Sequence, residues 1–274
     1  LPIPYERTTS YGKGTAHGPA AILEASEYVE LWDEELHTEP YEIGVHTAPP
    51  WTVSADAPTK SALADLERCA IAHYDESDTL VVGLGGEHSI TAPLVRAARH
   101  AMKSRGDRPL GVVQFDAHAD LRDQYEGSPY SHACVMRRIL EEGIPALSVG
   151  VRSLSRAEAE LIAAESLEVL WANELASCST EEFRQRLAVL PEDVYLTFDV
   201  DYFDPSVVPA TGTPEPGGGT WHSTLQWLRA LFESKRVVAM DIVELAPMPD
   251  HRASAFTVAK LLYKCIGYWA RARA

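Results

Sequence analysis

Asp116, His118 and Asp120 occupy alternate positions directly after the apolar run Leu110-Gly111-Val112-Val113. If that run is a buried strand, its period of two sends all three side chains to one side, at or just past its carboxyl end. Three ionisable groups converging there are costly to bury unless a cation sits between them. The chemistry this suggests is metal binding, and other apolar runs end in residues of the same kind. Gly85-Gly86-Glu87-His88 follows Leu80-Val81-Val82-Gly83-Leu84. Asp199, Asp201 and Asp204 follow Val194-Tyr195-Leu196-Thr197-Phe198, and Asp241 and Glu244 follow Val237-Val238-Ala239-Met240.

Singly these are weak signals, because an Asp-x-Asp is ordinarily a turn or a helix cap. Together, His88, Asp116, His118, Asp120, Asp199 and Asp201 fall at three strand ends, and buried acids are rare unless paired. Four carboxylates balance two divalent ions. With one or two carboxylates bridging, six residues furnish two sites. Oxygen-rich ligation with some imidazole favours manganese, with nickel or cobalt as alternatives, over a thiolate-type zinc site. Two such ions about 3.5 Å apart can share a water and lower its pKa toward neutrality, giving a hydroxide for hydrolysis of a poor electrophile. Asp204, before Pro205, reads as a turn residue.

The elements that position these residues alternate along the chain. Apolar runs at 78–84, 110–115, 146–151, 167–171, 194–200 and 236–243 read as strands. Helical periodicity is expected at 60–74, 91–103, 131–142, 155–165, 180–189, 222–234 and 253–271. Glu42 to His46 reads as one more short strand, and Leu1-Pro2-Ile3-Pro4-Tyr5 as the remainder of a first. Such alternation predicts an α/β fold: a single domain over 1–274, with one mostly parallel sheet of about eight strands and helices on both faces. Ligands then bind beyond the carboxyl ends of the strands, where the candidates lie. Residues 8–18 are turn chemistry ahead of Pro19, which opens a helix over 20–31. Their glycines match neither a dinucleotide nor a P-loop spacing, so they read as a loop lining a cleft, with His17 at the surface.

A net charge of −16 over 274 residues argues against nucleic acid as a partner and suits a small cationic substrate. No apolar stretch approaches the ~20 residues that span a bilayer, so no membrane partner is expected. Cys69, Cys134, Cys178 and Cys265 form no CxxC pair and read as free thiols in a reducing, cytoplasmic compartment.

Gly85-Gly86-Glu87-His88-Ser89, Asp116-Ala117-His118-Ala119-Asp120 and Asp199-Val200-Asp201-Tyr202-Phe203-Asp204-Pro205 resemble, in order and spacing, the three signatures of the ureohydrolases. That family includes arginase and agmatinase, and uses two manganese ions to release urea from guanidino compounds. The resemblance runs from Thr9-Ser10-Tyr11-Gly12-Lys13-Gly14-Thr15 to Val243-Glu244-Leu245-Ala246-Pro247, nearly the whole chain. It implies an arginase-like three-layer fold. It further implies that His88, Asp116, Asp120 and Asp199 hold one ion, and that Asp116, His118, Asp199 and Asp201 hold the other. Glu87 departs from the Asp of many members. By the same resemblance Glu244 binds the guanidinium, and His132 carries protons to the leaving amine. The implied mechanism is attack of a metal-bridging hydroxide on the guanidinium carbon, with Asp120 taking the hydroxide's proton.

The residues between Asp120 and His132 lack the Asn- and Ser-bearing stretch with which arginases hold an α-carboxylate, and look like the agmatinase version. The expected reaction is therefore agmatine to putrescine and urea, with Asp123 and Glu126 attracting the amine tail at the mouth. N1-aminopropylagmatine, guanidinobutyrate, arginine and guanidine are the alternative substrates. A non-catalytic metal-binding homologue and a single-zinc hydrolase on the same fold are the alternative classes. The resemblance also implies a homo-oligomer, a trimer or hexamer.

Overall fold

Short apolar runs rich in β-branched residues form the centre of the molecule. A computed structural model describes residues 1–74, 79–104 and 106–273. Its strands are β1 (Pro2–Ile3), β2 (Val81–Gly85), β3 (Leu110–Phe115), β4 (Ala146–Val151), β5 (Glu168–Trp171), β6 (Asp193–Asp199) and β7 (Arg236–Val243). They form one seven-stranded sheet in the order β1-β2-β7-β6-β3-β4-β5, and every neighbouring pair is parallel. All residues of β3 and β6 are buried, as expected for strands covered on both faces.

The covering helices are α1 (Gly18–Ser26), α2 (Thr59–Ile71), α3 (Thr91–Ser104), α4 (Val135–Glu141), α5 (Arg156–Glu165), α6 (Thr180–Leu187), α7 (Trp221–Ser234) and α8 (Ala253–Arg271). The alternation of β6 divides them between two faces. Val194, Leu196 and Phe198 join a core with residues of α1, α6, α7 and α8. Tyr195 faces the opposite core, with residues of α2, α3, α4 and α5. The result is the three-layer α/β architecture expected from the alternation. Local chemistry sets several helix starts. Ser155 with Glu158 and Ser179 with Glu182 form reciprocal capping boxes at α5 and α6.

Seven strands stand where about eight were expected. The segment 42–46 is not a strand: Pro40–Ile43 is a 3-10 turn, and Gly44 follows at φ 85°. Proline's fixed φ opens that turn. Helix α1 stops at Ser26 rather than Leu31. Asp78, the first residue of the strand expected at 78–84, lies outside the described residues, as does Ala274. Among the described residues, no helix is long and apolar enough to cross a membrane.

Strand β1, only two residues long, is held at the sheet's edge against β2. Leu84 N–H donates to Leu1 O and Gly86 N–H to Ile3 O, both at 2.9 Å. This places the loop that follows β1 over the carboxyl ends of β2 and β7.

Candidate active site

The order of the sheet puts β2, β7, β6 and β3 side by side, so the residues after their last positions share one edge. There the structure brings together all six metal-ligand candidates. His88 Nδ1 lies 3.0 Å from Asp116 Oδ2, 3.0 Å from Asp120 Oδ2 and 3.4 Å from Asp199 Oδ2. His118 Nδ1 lies 2.9 Å from Asp201 Oδ2 and 3.6 Å from Asp116 Oδ1. Two groups are compact enough to hold an ion: His88 with Asp116 and Asp120, and Asp116 with His118 and Asp201. They share Asp116, and Asp199 stands against both through His88 and through Asp201, whose N–H donates to Asp199 Oδ1 at 2.9 Å.

The proton count at His88 tests whether these residues fit a cation. Its Nε2 lies 2.9 Å from Thr197 Oγ1, and that hydroxyl donates its only hydrogen to Asp241 Oδ1 at 2.7 Å. Thr197 therefore accepts from His88, so Nε2 carries a hydrogen and Nδ1 is the nitrogen left for a metal. Nδ1 faces the three carboxylates; burial works against a proton there, yet bonds to Asp116, Asp120 and Asp199 hold the ring's pKa well above the ordinary histidine value. The carboxylates thus call for positive charge at Nδ1, and a divalent ion bound by its lone pair would replace that proton. The donor set fits divalent metal.

Electrostatics point the same way. Burial, then repulsion from Asp116, raises the Asp120 and Asp201 carboxyls; burial, then Asp201 and Asp116, raises Asp199 well above its ordinary value. Burial works against imidazolium at His118, yet the charges of Asp201 and Asp116 and its bonds to them carry it up to about 12. Burial opposes the Asp116 carboxylate too, but His118 and His88 hold it below its ordinary value, so the other three acids and the two imidazoles carry the protons that a cation would replace.

Glu244 follows β7 and is 7 % exposed. It accepts from His88 N–H at 2.7 Å, and burial, then repulsion from Glu87, raises its carboxyl well above the ordinary range. Asp120 and Glu244 both have left-handed backbones, φ 52° and 66°. For residues other than glycine that conformation costs of order 1–3 kcal/mol and collects at functional sites. Asp241 turns away from the cavity and accepts from Tyr195 OH and Thr197 Oγ1, both at 2.7 Å. Asp204 accepts from Ser206 and Gly217, as a turn residue should.

A small cavity lies over the cluster, lined by Thr9 to Gly12, His88, His118, Asp120, His132, Asp199, Asp201, Gly212, Thr213 and Glu244. The loop expected to line a cleft does so, and His17 is exposed. It meets the opposite wall where Gly12 N–H donates to Gly212 O at 3.0 Å. A Cβ on Gly12 would lie 2.7 Å from that oxygen, so the contact requires glycine.

Two expected residues are not brought to the cavity. Asp123 and Glu126 are exposed and absent from its lining. The Asp123 carboxylate instead meets Arg138 at 2.7 Å, which holds its pKa below the usual carboxylate value. Several neighbours carried no signal in the sequence: Thr197 behind His88, Thr8 beside His132, and Gln114, whose Nε2 donates to Asp116 Oδ2 at 2.8 Å. Only contacts between distant segments reveal them.

Fold and cluster together define a metal-dependent hydrolase of the α/β class. The arginase family description matches residues 1–267. The N(1)-aminopropylagmatine ureohydrolase of Synechocystis sp. is 45% identical over 98% of this chain and 88% of its own length. The agmatinase of Pyrococcus horikoshii is 34% identical over 99% and 91%. Among solved structures, the agmatine ureohydrolase of Thermoplasma volcanium superposes with a TM-score of 0.86 at 29% identity, covering 98% of this chain and 88% of that one. The chain belongs to the arginase family, a binuclear-metal-dependent family, and is an arginase-family ureohydrolase.

Proposed function

We propose that this ureohydrolase cleaves a guanidine with an amine-bearing tail, N1-aminopropylagmatine first and agmatine second, to urea and the corresponding polyamine. The observation that carries this reading is the cavity lining: hydroxyls, imidazoles and carboxylates, with no Lys or Arg in it among the described residues. Such a wall offers a substrate carboxylate no cationic partner, which counts against arginine and guanidino acids, and it suits a polycation. The Synechocystis relative brings N1-aminopropylagmatine ahead of agmatine, and the Pyrococcus relative keeps agmatine in view.

In this reading His88, Asp116, Asp120 and Asp199 hold one ion, and Asp116, His118, Asp199 and Asp201 hold the other, with manganese as the metal best matched to these donors. When bound, two divalent ions supply a water acidic enough to act as nucleophile near neutral pH. The protein's own groups do the rest. Glu244, uncomfortable as a buried anion, gains its counter-charge from the planar guanidinium, which a two-oxygen carboxylate can pair side-on. Asp120 accepts a proton from the attacking water. His132, on the cavity wall, delivers a proton to the departing amine nitrogen as the carbon–nitrogen bond breaks.

Glu215, which is outside the lining but next to His118 on the cavity wall, is the carboxylate proposed for the substrate's tail in place of Asp123 and Glu126. It is partly exposed, and its Oε1 lies 4.0 Å from His118 Nε2. One sheet joining β1 to β7 supports a single ureohydrolase domain over 1–274. Four free cysteines support a reducing, cytoplasmic setting. Exposed Tyr28, Trp32, Ile43 and Val45 support assembly into a trimer or hexamer. The deciding experiment is urea release after manganese loading from N1-aminopropylagmatine, agmatine, arginine, guanidinobutyrate and guanidine. The highest kcat/KM is expected with N1-aminopropylagmatine. A preference for arginine or guanidinobutyrate, or no urea from any of them, overturns the reading.

A further inference from the structure

Glu87, where the chain departs from the more common Asp, is fully buried beside the cavity without lining it. Its carboxylate accepts from the N–H groups of Arg7 and Thr8 and from the hydroxyls of Thr8 at 2.8 Å and Ser89 at 2.5 Å. The Thr8 bond decides what lies beyond it. A hydroxyl has one hydrogen, and that of Thr8 points to Glu87, because an ionised carboxylate only accepts. Its lone pairs therefore face His132. There Thr8 Oγ1 accepts from the His132 backbone N–H at 3.0 Å and lies 3.2 Å from His132 Nδ1.

We propose that Thr8, oriented by Glu87, is a positioning residue that fixes His132 as its Nδ1–H tautomer. A lone pair facing Nδ1 is satisfied only when that nitrogen carries the hydrogen. A neutral imidazole has one, so Nε2 is left as the nitrogen that gains and releases the catalytic proton. Tyr125 packs edge-on to the ring at 5.7 Å and limits its rotation. Ser131 Oγ, 3.3 Å from Nδ1, is the competing partner: were it to donate, the opposite tautomer would form. Accepting the Ala133 N–H as the cap of the following turn leaves its hydrogen free, so Ser131 is tested alongside Thr8. The inference rests on the proton role given above to His132.

The test reads the tautomer directly. Two-bond proton–nitrogen correlation spectra are recorded on zinc-loaded enzyme with nitrogen-15 histidine, the His132 signals being assigned by their loss in His132→Asn. Wild type and Thr8→Ser are expected to show Nδ1–H. Thr8→Val is expected to lose it as the dominant form, and its manganese-loaded kcat to fall about 10-fold or more, part of the roughly 10²–10⁴ that a general acid supplies. KM and metal content stay unchanged, and Thr8→Ser restores kcat. Ser131→Ala is expected to retain Nδ1–H. An Nε2–H wild type, Nδ1–H retained in Thr8→Val, or a tautomer lost in Ser131→Ala overturns the inference. Wild-type enzyme with the expected tautomer but no urea release overturns the proposed function and leaves the tautomer assignment standing.

Discussion

His88 and Thr197 meet at 2.9 Å between Nε2 and Oγ1, and the threonine's hydrogen is already committed to Asp241. Partners behind a metal ligand orient it and set its basicity, and their loss typically costs 10–100-fold in affinity. Thr197→Val keeps the shape and removes the hydroxyl. Manganese affinity is expected to fall by about 10–100-fold, measured by calorimetric titration. Stability is expected to drop by ~1–3 kcal/mol in urea, because one Asp241 oxygen loses its donor. Unchanged affinity would show that Nε2 is not what holds the ring.

Removing metal leaves Asp116, Asp120, Asp199 and Asp201 buried around two imidazoles. A ligand at 100 times its Kd stabilises by about 2.7 kcal/mol, so chelation is expected to lower the melting temperature and manganese to restore it. Burial and mutual repulsion raise Asp120, Asp199 and Asp201, so these acids take up protons readily when no cation is present. The ion must displace those protons, so affinity falls as pH falls. Calorimetry in two buffers of different ionisation enthalpy should show proton release on binding; proton uptake would contradict the assignment.

His132→Asn should retain both ions, because His132 is outside both compact ligand groups. Its kcat is expected to fall by roughly 10²–10⁴, the range for a lost general acid. Parallel loss of bound metal, read by elemental analysis, would turn His132 into a structural residue.

Glu215→Gln removes a charge beside the cavity without touching the cluster's carboxylates. For a substrate with a cationic tail, KM is expected to rise several-fold while kcat holds, the pattern of lost uniform binding. Guanidine, which has no tail, should be unaffected. Equal effects on both substrates would assign Glu215 to holding His118 instead.

Lys264, buried on α8, pairs with Asp33 at 3.0 Å and Glu34 at 2.9 Å. Burial opposes the Asp33 carboxylate, but the N–H of Leu36, Lys264 and the N–H of Glu35 hold its pKa below the ordinary value. Its contribution is therefore full above the unfolded value of about 3.9 and is lost as pH falls through the depressed folded one. Burial likewise opposes Lys264, and its bonds to Glu34 and Asp33 raise it. That contribution is full below about 10.4 and is lost as pH rises through the folded value. Lys264→Ala should cost ~3–5 kcal/mol by stranding a buried carboxylate. Urea melts across pH would show the loss; a cost under ~1 kcal/mol would mean that water relieves Asp33.

Strands covered on both faces are mostly apolar, which is why 110–115, 146–151 and 236–243 could be bounded to the residue. The same rule fails at 42–46, where apolar residues belong to a turn that Pro40 and Gly44 bend away from any partner. Ligand types survive translation into space because strand ends are local, so His88, Asp116, His118, Asp120, Asp199 and Asp201 were legible. Their supports were not. A threonine such as Thr197 or Thr8 looks like any other until another segment is folded against it. The left-handed turns at Asp120 and Glu244 fall on residues other than glycine, so no residue type announces them. Asp123 reads as a mouth charge until Arg138 is seen beside it.

The two halves of the site hang from parts of the sheet with different purchase. The acids follow β3 and β6, interior strands paired on both sides. Thr8 to Gly12 hang from β1, two residues long with one neighbour. Local opening begins where the fewest bonds must break. Fraying of this edge would take Thr8 from His132 and open one wall of the cavity, and leave the acidic cluster standing. Amide hydrogen exchange should therefore be quick across residues 5–14 and slow across β3 and β6, so that heat or mild denaturant abolishes turnover before it releases metal.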